Sequence, residues 1–137
     1  MRERANYCRP FSDGEDVVKS VAKVGVIGGS GFYEFPDLEA LTELEIETPY
    51  HSMVRATLGK IKSVPVAFIP RHGPDHRVPP HLINYRANIW ALKSLGVEFV
   101  FALNAVGGIA AEMESGALVI PDQIIDYTFG RQQTYAD

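Results

Sequence analysis

Apolar residues in this chain come mostly in short runs separated by glycine, proline and charge, a pattern that predicts strands more often than helices. Lys23 to Ile27 is the first such run, short enough for a buried strand, and it leads into Gly28-Gly29-Ser30-Gly31. Between Thr42 and Thr48, Leu44 and Ile46 alternate with Glu43, Glu45 and Glu47, which predicts a strand with one solvated face. Met53–Leu58 and Val64–Ile69 predict two more strands, joined by the polar turn Gly59-Lys60-Ile61-Lys62-Ser63. Pro65 has no N–H for a ladder and is expected at a strand start or an unpaired position. From about Pro80 to Leu95 the period changes. Leu82, Tyr85, Ile89 and Leu92 recur at three and four, Ile83 and Trp90 widen the stripe, and Gly96 is placed to end a helix. Val97–Leu103 reads as the most buried strand of the chain. Ala117–Ile120 and Gln123–Tyr127 read as further strand-like runs bent at Pro121-Asp122. Residues 1–22 show no clean period and read as a disordered or loosely attached extension, leaving 23–137 as one domain.

Five or six strands against one long helix do not balance. A mostly parallel sheet needs cover on both faces, normally a helix per crossover, so the chain reads as the first part of a larger α/β domain. A formal charge of −4 with scattered Lys and Arg argues against a nucleic-acid or membrane-surface footprint. Cys8 is the single cysteine, so no internal disulfide forms and a reducing interior suits the chain. Met1-Arg2-Glu3-Arg4 leads into no apolar core of a signal peptide, and nothing approaches the roughly 18 apolar residues of a membrane span. A cytoplasmic location is expected.

Three segments carry candidate chemistry, and each is an apolar run ending in polar or glycine residues: Gly28-Gly29-Ser30-Gly31, Arg71-His72-Gly73 and Asn104-Ala105-Val106-Gly107-Gly108. Ligands of open α/β sheets sit at the carboxyl ends of strands, so three such ends suggest one anion site. The glycine loop is either a tight turn or an anion cradle with Ser30 as an added donor. It is a poor dinucleotide fingerprint, because Glu34 stands at the last glycine position and Pro36 interrupts the following helix. A P-loop fails as well, since Ile61 follows Gly59-Lys60. Arg71 offers a planar fork suited to two phosphate oxygens, and His72 is either a second donor or a structural loop residue. Asn104 bridges donor and acceptor groups, or it only marks the exit of a strand. His72, His76 and His81 have spacings that invite a metal, but a four-proline loop without a cysteine partner argues against one. Asp122 and Asp126 are expected in turns and on the surface.

Taken together, Gly28-Gly29-Ser30-Gly31-Phe32-Tyr33, Arg71-His72-Gly73, Asn84-Tyr85-Arg86-Ala87-Asn88-Ile89-Trp90-Ala91-Leu92-Lys93 and Asn104-Ala105-Val106-Gly107-Gly108 resemble the methylthioadenosine phosphorylases. The chain is also similar to their close relatives, the methylthioinosine phosphorylases of the purine nucleoside phosphorylase superfamily. The resemblance runs from about Val24 to Tyr135 and keeps the order of the motifs. It implies an α/β domain with a central twisted mixed sheet, here incomplete and cut before the remaining helices. It also implies phosphorolysis of a 5'-methylthiopurine nucleoside to free purine and 5-methylthioribose 1-phosphate, in purine and methionine salvage. Ser30, Arg71, His72, Asn104 and Ala105 would form the phosphate site, with Arg71 and His72 giving charged and neutral donors. Phosphate would be a co-substrate, no metal or organic cofactor would be needed, and the full-length assembly would be a homotrimer. The family's base-contacting residues lie beyond the matched part, which leaves the catalytic residues unknown. The alternative is a catalytically incomplete fragment that at most binds phosphate. Asn104-Ala105-Val106-Gly107-Gly108 leans toward the 6-oxopurine variants. Thr48-Pro49-Tyr50-His51-Ser52 departs from a family turn that has one more residue and a glycine after the aromatic.

Overall fold

The computed structural model describes residues 21–29, 38–132, 134 and 135. Its centre is one five-stranded sheet built from β1 (Val24–Gly28), β2 (Glu39–Thr48), β3 (Ser52–Ile61), β4 (Val64–Pro70) and β5 (Phe99–Ala102), in the order β2-β3-β4-β1-β5. β2, β3 and β4 form an antiparallel meander, whereas β4, β1 and β5 run parallel. The sheet is therefore mixed. Pro65 falls at the second position of β4, opposite Lys60.

Side chains alternate across the sheet as the pleat requires. Ile27, Ala67 and Ile69 point to one face and meet α1 (Tyr85–Ser94), the one α-helix among the described residues, through Ala87, Trp90, Ala91, Leu92 and Leu95. Val26, Val66 and Phe68 point to the other, where Leu38 joins them in the core and Val24, Ile61 and Leu103 pack at its edge. Burying Leu92 and Leu95 stabilises the helix side by about 1.5–3 kcal/mol each. Ala87 and Ala91 are small enough to let the helix backbone approach the strands.

The helix begins later than its periodicity suggests. Pro80–Leu82 form one 3-10 turn, the chain extends at Ile83, and Asn84 caps α1 by accepting from the Ala87 amide at 3.0 Å. The same Asn84 donates to Tyr50 O at 3.0 Å, tying the helix start to the β2–β3 turn. In that turn His51 takes φ 53°, so a non-glycine residue occupies the left-handed position, and the Thr48 hydroxyl clamps the hairpin by donating to Ser52 O at 2.8 Å. At the other end Gly96 takes φ 76° and donates to Lys93 O, which is the helix stop anticipated from the sequence.

Four expectations need correction. Val21 and Ala22, assigned to a loose extension, are docked: both donate to Leu95 O, and Ala22 is buried against the helix. The remainder of that extension lies outside the described residues. Leu82, Tyr85 and Ile89 are exposed, so only part of the apolar stripe faces the sheet. β5 is not the most buried strand: it holds the sheet edge, and Phe99, Val100 and Phe101 are 57, 47 and 58 % exposed. Residues 103–132 form no strand or helix. Among the described residues the apolar runs at 117–120 and 123–127 have no neighbouring strand to satisfy their backbone groups, and Leu118 and Ile120 are both 88 % exposed.

Candidate functional site

The parallel half of the sheet brings three strand ends side by side. β1 lies between β4 and β5, with Gly28 level with Pro70 and Ile27 level with Ala102. The ladder continues one step past the strands, as Arg71 N donates to Gly28 O at 3.0 Å and Leu103 N donates to Ile27 O at 2.9 Å. Gly29, Arg71 and Leu103-Asn104 consequently leave the sheet in a row, about 4.8 Å from one strand to the next.

Arg71 spans that row. Its Nη1 donates to Leu103 O at 2.8 Å, so the guanidinium reaches from the end of β4 over β1 to β5. Gly29 makes the crossing possible. A Cβ there would lie 2.7 Å from Nη1 and closer still to Cζ and Nη2, in a space already filled by the guanidinium. Any Cβ at this position would push the guanidinium aside, a demand of contact and not of backbone angle.

His72 is buried and held by its own loop. Val78 N donates to His72 O at 2.9 Å, and His72 Nδ1 lies 2.9 Å from Val78 O. Gly73 N donates to Pro70 O at 2.9 Å and His76 N to Gly73 O at 3.1 Å, closing residues 70–78 into a compact turn. The His76 ring stacks at an angle on His72, 4.9 Å between centroids.

Beside these residues is a cavity of about 420 Å³, lined by Arg71, His72 and Asn104 with Ile27, Ala102, Pro80, Ile83, Tyr85, Asn88 and Ile89. Asn104 Nδ2 is 3.5 Å from Ala102 O, the outer limit of a hydrogen bond, so its amide has capacity for a ligand. Ala105 is exposed and is not part of the lining. Ser30 lies outside the described residues. The exposed faces of Tyr85 and Ile89 supply the apolar wall, and Asn88 adds an amide from α1. In the sequence Tyr85 and Ile89 mark only an apolar helical stripe, and Asn88 falls outside the candidate site residues. Asn88 between Tyr85 and Ile89, a polar residue inside an i, i+4 apolar pair, is the signal that marks the wall.

The other candidates fall elsewhere. His81 lines a different pocket of about 300 Å³, with Arg86 and Arg131. Among the described residues no three His, Cys, Asp or Glu side chains gather as a metal site. Asp126 closes an exposed turn: the Thr128 hydroxyl and amide donate to it at 2.7 and 2.8 Å and, aided by Arg131, hold its carboxyl below the ordinary range against slight desolvation. No described helix is long and apolar enough to cross a membrane.

Comparison with known proteins adds kinship to this geometry. The phosphorylase superfamily profile matches residues 23–137. The chain is 49 % identical over 117 residues to S-methyl-5'-thioadenosine phosphorylase of Saccharolobus solfataricus, covering 85 % of this chain and 43 % of that protein. It is 50 % identical over 115 residues to 6-oxopurine nucleoside phosphorylase of Pyrococcus furiosus, covering 84 % and 43 %. Among solved structures, methylthioadenosine phosphorylase from Schistosoma mansoni in complex with adenine superposes with a TM-score of 0.54 at 40 % identity, over 59 % of this chain and 30 % of that one. The chain thus spans less than half the length of the relatives it matches, and its mixed sheet corresponds to their N-terminal part.

Proposed function

The chain belongs to the phosphorylase superfamily, and on that premise we propose that the protein cleaves a 5'-methylthiopurine nucleoside with inorganic phosphate. The products would be the free purine and 5-methylthioribose 1-phosphate, in purine and methionine salvage. The observation that carries this reading is Arg71, whose guanidinium lies across the ends of three parallel strands beside a mostly apolar cavity. Phosphate would be held by Arg71, His72 and Asn104, with Ser30 and the Ala105 amide completing the set. As the glycosidic bond breaks, the sugar gains oxocarbenium character, as in glycoside hydrolysis. A phosphate fixed beneath it supplies the nucleophile and an opposing charge at once. The phosphate is a co-substrate, and no metal or organic cofactor enters the scheme. The apolar wall of Tyr85 and Ile89 suits the uncharged part of the nucleoside. We assign the active assembly as a cytoplasmic homotrimer. Relatives named for methylthioadenosine and for 6-oxopurine nucleosides match about equally well, so adenine and hypoxanthine nucleosides are both candidate substrates.

The exposed β5 and the exposed 104–130 segment favour a second reading, in which the 137-residue chain binds phosphate without turning over. Phosphate-dependent release of free purine from methylthioadenosine or methylthioinosine separates the two. Release that needs phosphate supports the first; phosphate binding without release supports the second; neither binding nor release refutes both.

A further inference from the structure

His72 differs from Arg71 in what it offers the cavity. Its Nδ1 faces the carbonyl of Val78 at 2.9 Å, and a carbonyl oxygen only accepts, so Nδ1 carries the proton of that hydrogen bond. A neutral imidazole has one N–H. With that proton committed to Val78, Nε2 holds a lone pair, and His72 is a member of the cavity wall beside Arg71. The loop backbone holds the ring in this position, because the His72 carbonyl is itself tied to Val78 N.

We infer that neutral His72 presents Nε2 to the cavity as a hydrogen-bond acceptor, so that the site selects an oxyanion bearing a proton, monohydrogen phosphate over sulfate. This rests on the reading of the cavity as a phosphate site and deepens it by naming the form of the anion. In mildly alkaline buffer the two ions are both dianions of similar size. They differ chiefly in that phosphate keeps an O–H, which Nε2 accepts, while sulfate brings a bare oxygen against a lone pair. Arg71 treats the two alike. The surroundings of His72 are Arg71 beside it, the His76 ring stacked on it and Tyr85 across the cavity from α1; the carboxylate of its own loop, Asp75, faces Arg77 at 3.9 Å.

Calorimetric titration of the chain with inorganic phosphate and with sulfate in mildly alkaline buffer tests this. Phosphate is expected to bind about tenfold or more tightly than sulfate. His72→Gln, whose amide both donates and accepts, should narrow the gap. Because that variant disturbs a buried loop, the tautomer is read independently from the ring nitrogen shifts of His72 in the unaltered chain, where Nε2 should be unprotonated at alkaline pH. Equal affinities in alkaline buffer, or an Nε2–H tautomer, overturn the inference and leave phosphate binding intact. Binding of neither anion overturns the inference together with the functional reading it rests on.

Discussion

β1 and β5 are parallel neighbours with nearly the same kind of sequence, yet Val26 and Ile27 are buried while Phe99, Val100 and Phe101 stand half open. The difference is position. β1 has a strand on either side, α1 over one face and Leu38 and Phe68 on the other; β5 has β1 on one side and only the irregular 103–132 segment after it. Hydrophobicity reports what a residue would gain by burial, and packing partners decide whether it is realised. The body up to Gly96 is therefore where stability resides, and the strand ends it fixes are where chemistry can be precise.

The sharpest way to break that contrast is a pair of truncations. Leu92→Ala, in the core under β1, is expected to destabilise the fold by about 2–5 kcal/mol in urea unfolding, while Ile120→Ala changes it by less than about 0.5 kcal/mol. Comparable losses at both sites would mean that the second half is as well packed as the first.

A smaller effect is expected where the two regions meet. Gly29→Val puts a Cβ into the space of the Arg71 guanidinium and forces it off Leu103 O. Phosphate affinity should fall by about 10–100-fold, the scale of a charge-assisted hydrogen bond, with urea stability changing much less than for Leu92→Ala. Retained affinity would show that Arg71 acts from another position.

How far the sequence already revealed this depends on range. β1, β3 and β4 and the Gly96 stop were legible, because alternation and turn residues are local signals. The helix start was not. Pro80 through Leu82 share the helical period, but Asn84 prefers to cap, and its bond to Tyr50 O lies 34 residues away in the chain. The exposure of β5 was hidden for the same reason, since nothing in Phe99-Val100-Phe101-Ala102 announces an edge. Arg71, His72 and Asn104, candidates from strand-end motifs, line one cavity. The partners that orient them, the carbonyls of Leu103 and Val78, have no side-chain signature to read.

The smallest effect concerns the return of the chain onto the body. Arg86 donates to Thr134 O at 3.1 Å and to Gln132, and Tyr135 meets the Tyr50 ring edge-on at 5.6 Å between centroids. Partial burial first, and Tyr50 second, raise the Tyr135 phenol above its ordinary value against the pull of Arg86. A raised value for a phenol means that the neutral form favours docking. The contribution is complete below the unfolded tyrosine range and is lost as pH rises through the folded value. Alkaline titration followed by tyrosinate absorbance should show one late-titrating tyrosine, which Tyr135→Phe removes with little change in urea stability. An unchanged titration in that variant would contradict the docking.

The most direct measurement is an NMR titration of the chain with inorganic phosphate, following the Gly29 amide, the Arg71 side-chain N–H groups and the Asn104 amide together. The account predicts that all three shift along one saturable curve with a single dissociation constant, because the ends of β1, β4 and β5 hold one ion. Shifts confined to Arg86 and Arg131, or strand ends that respond with separate constants, would contradict it.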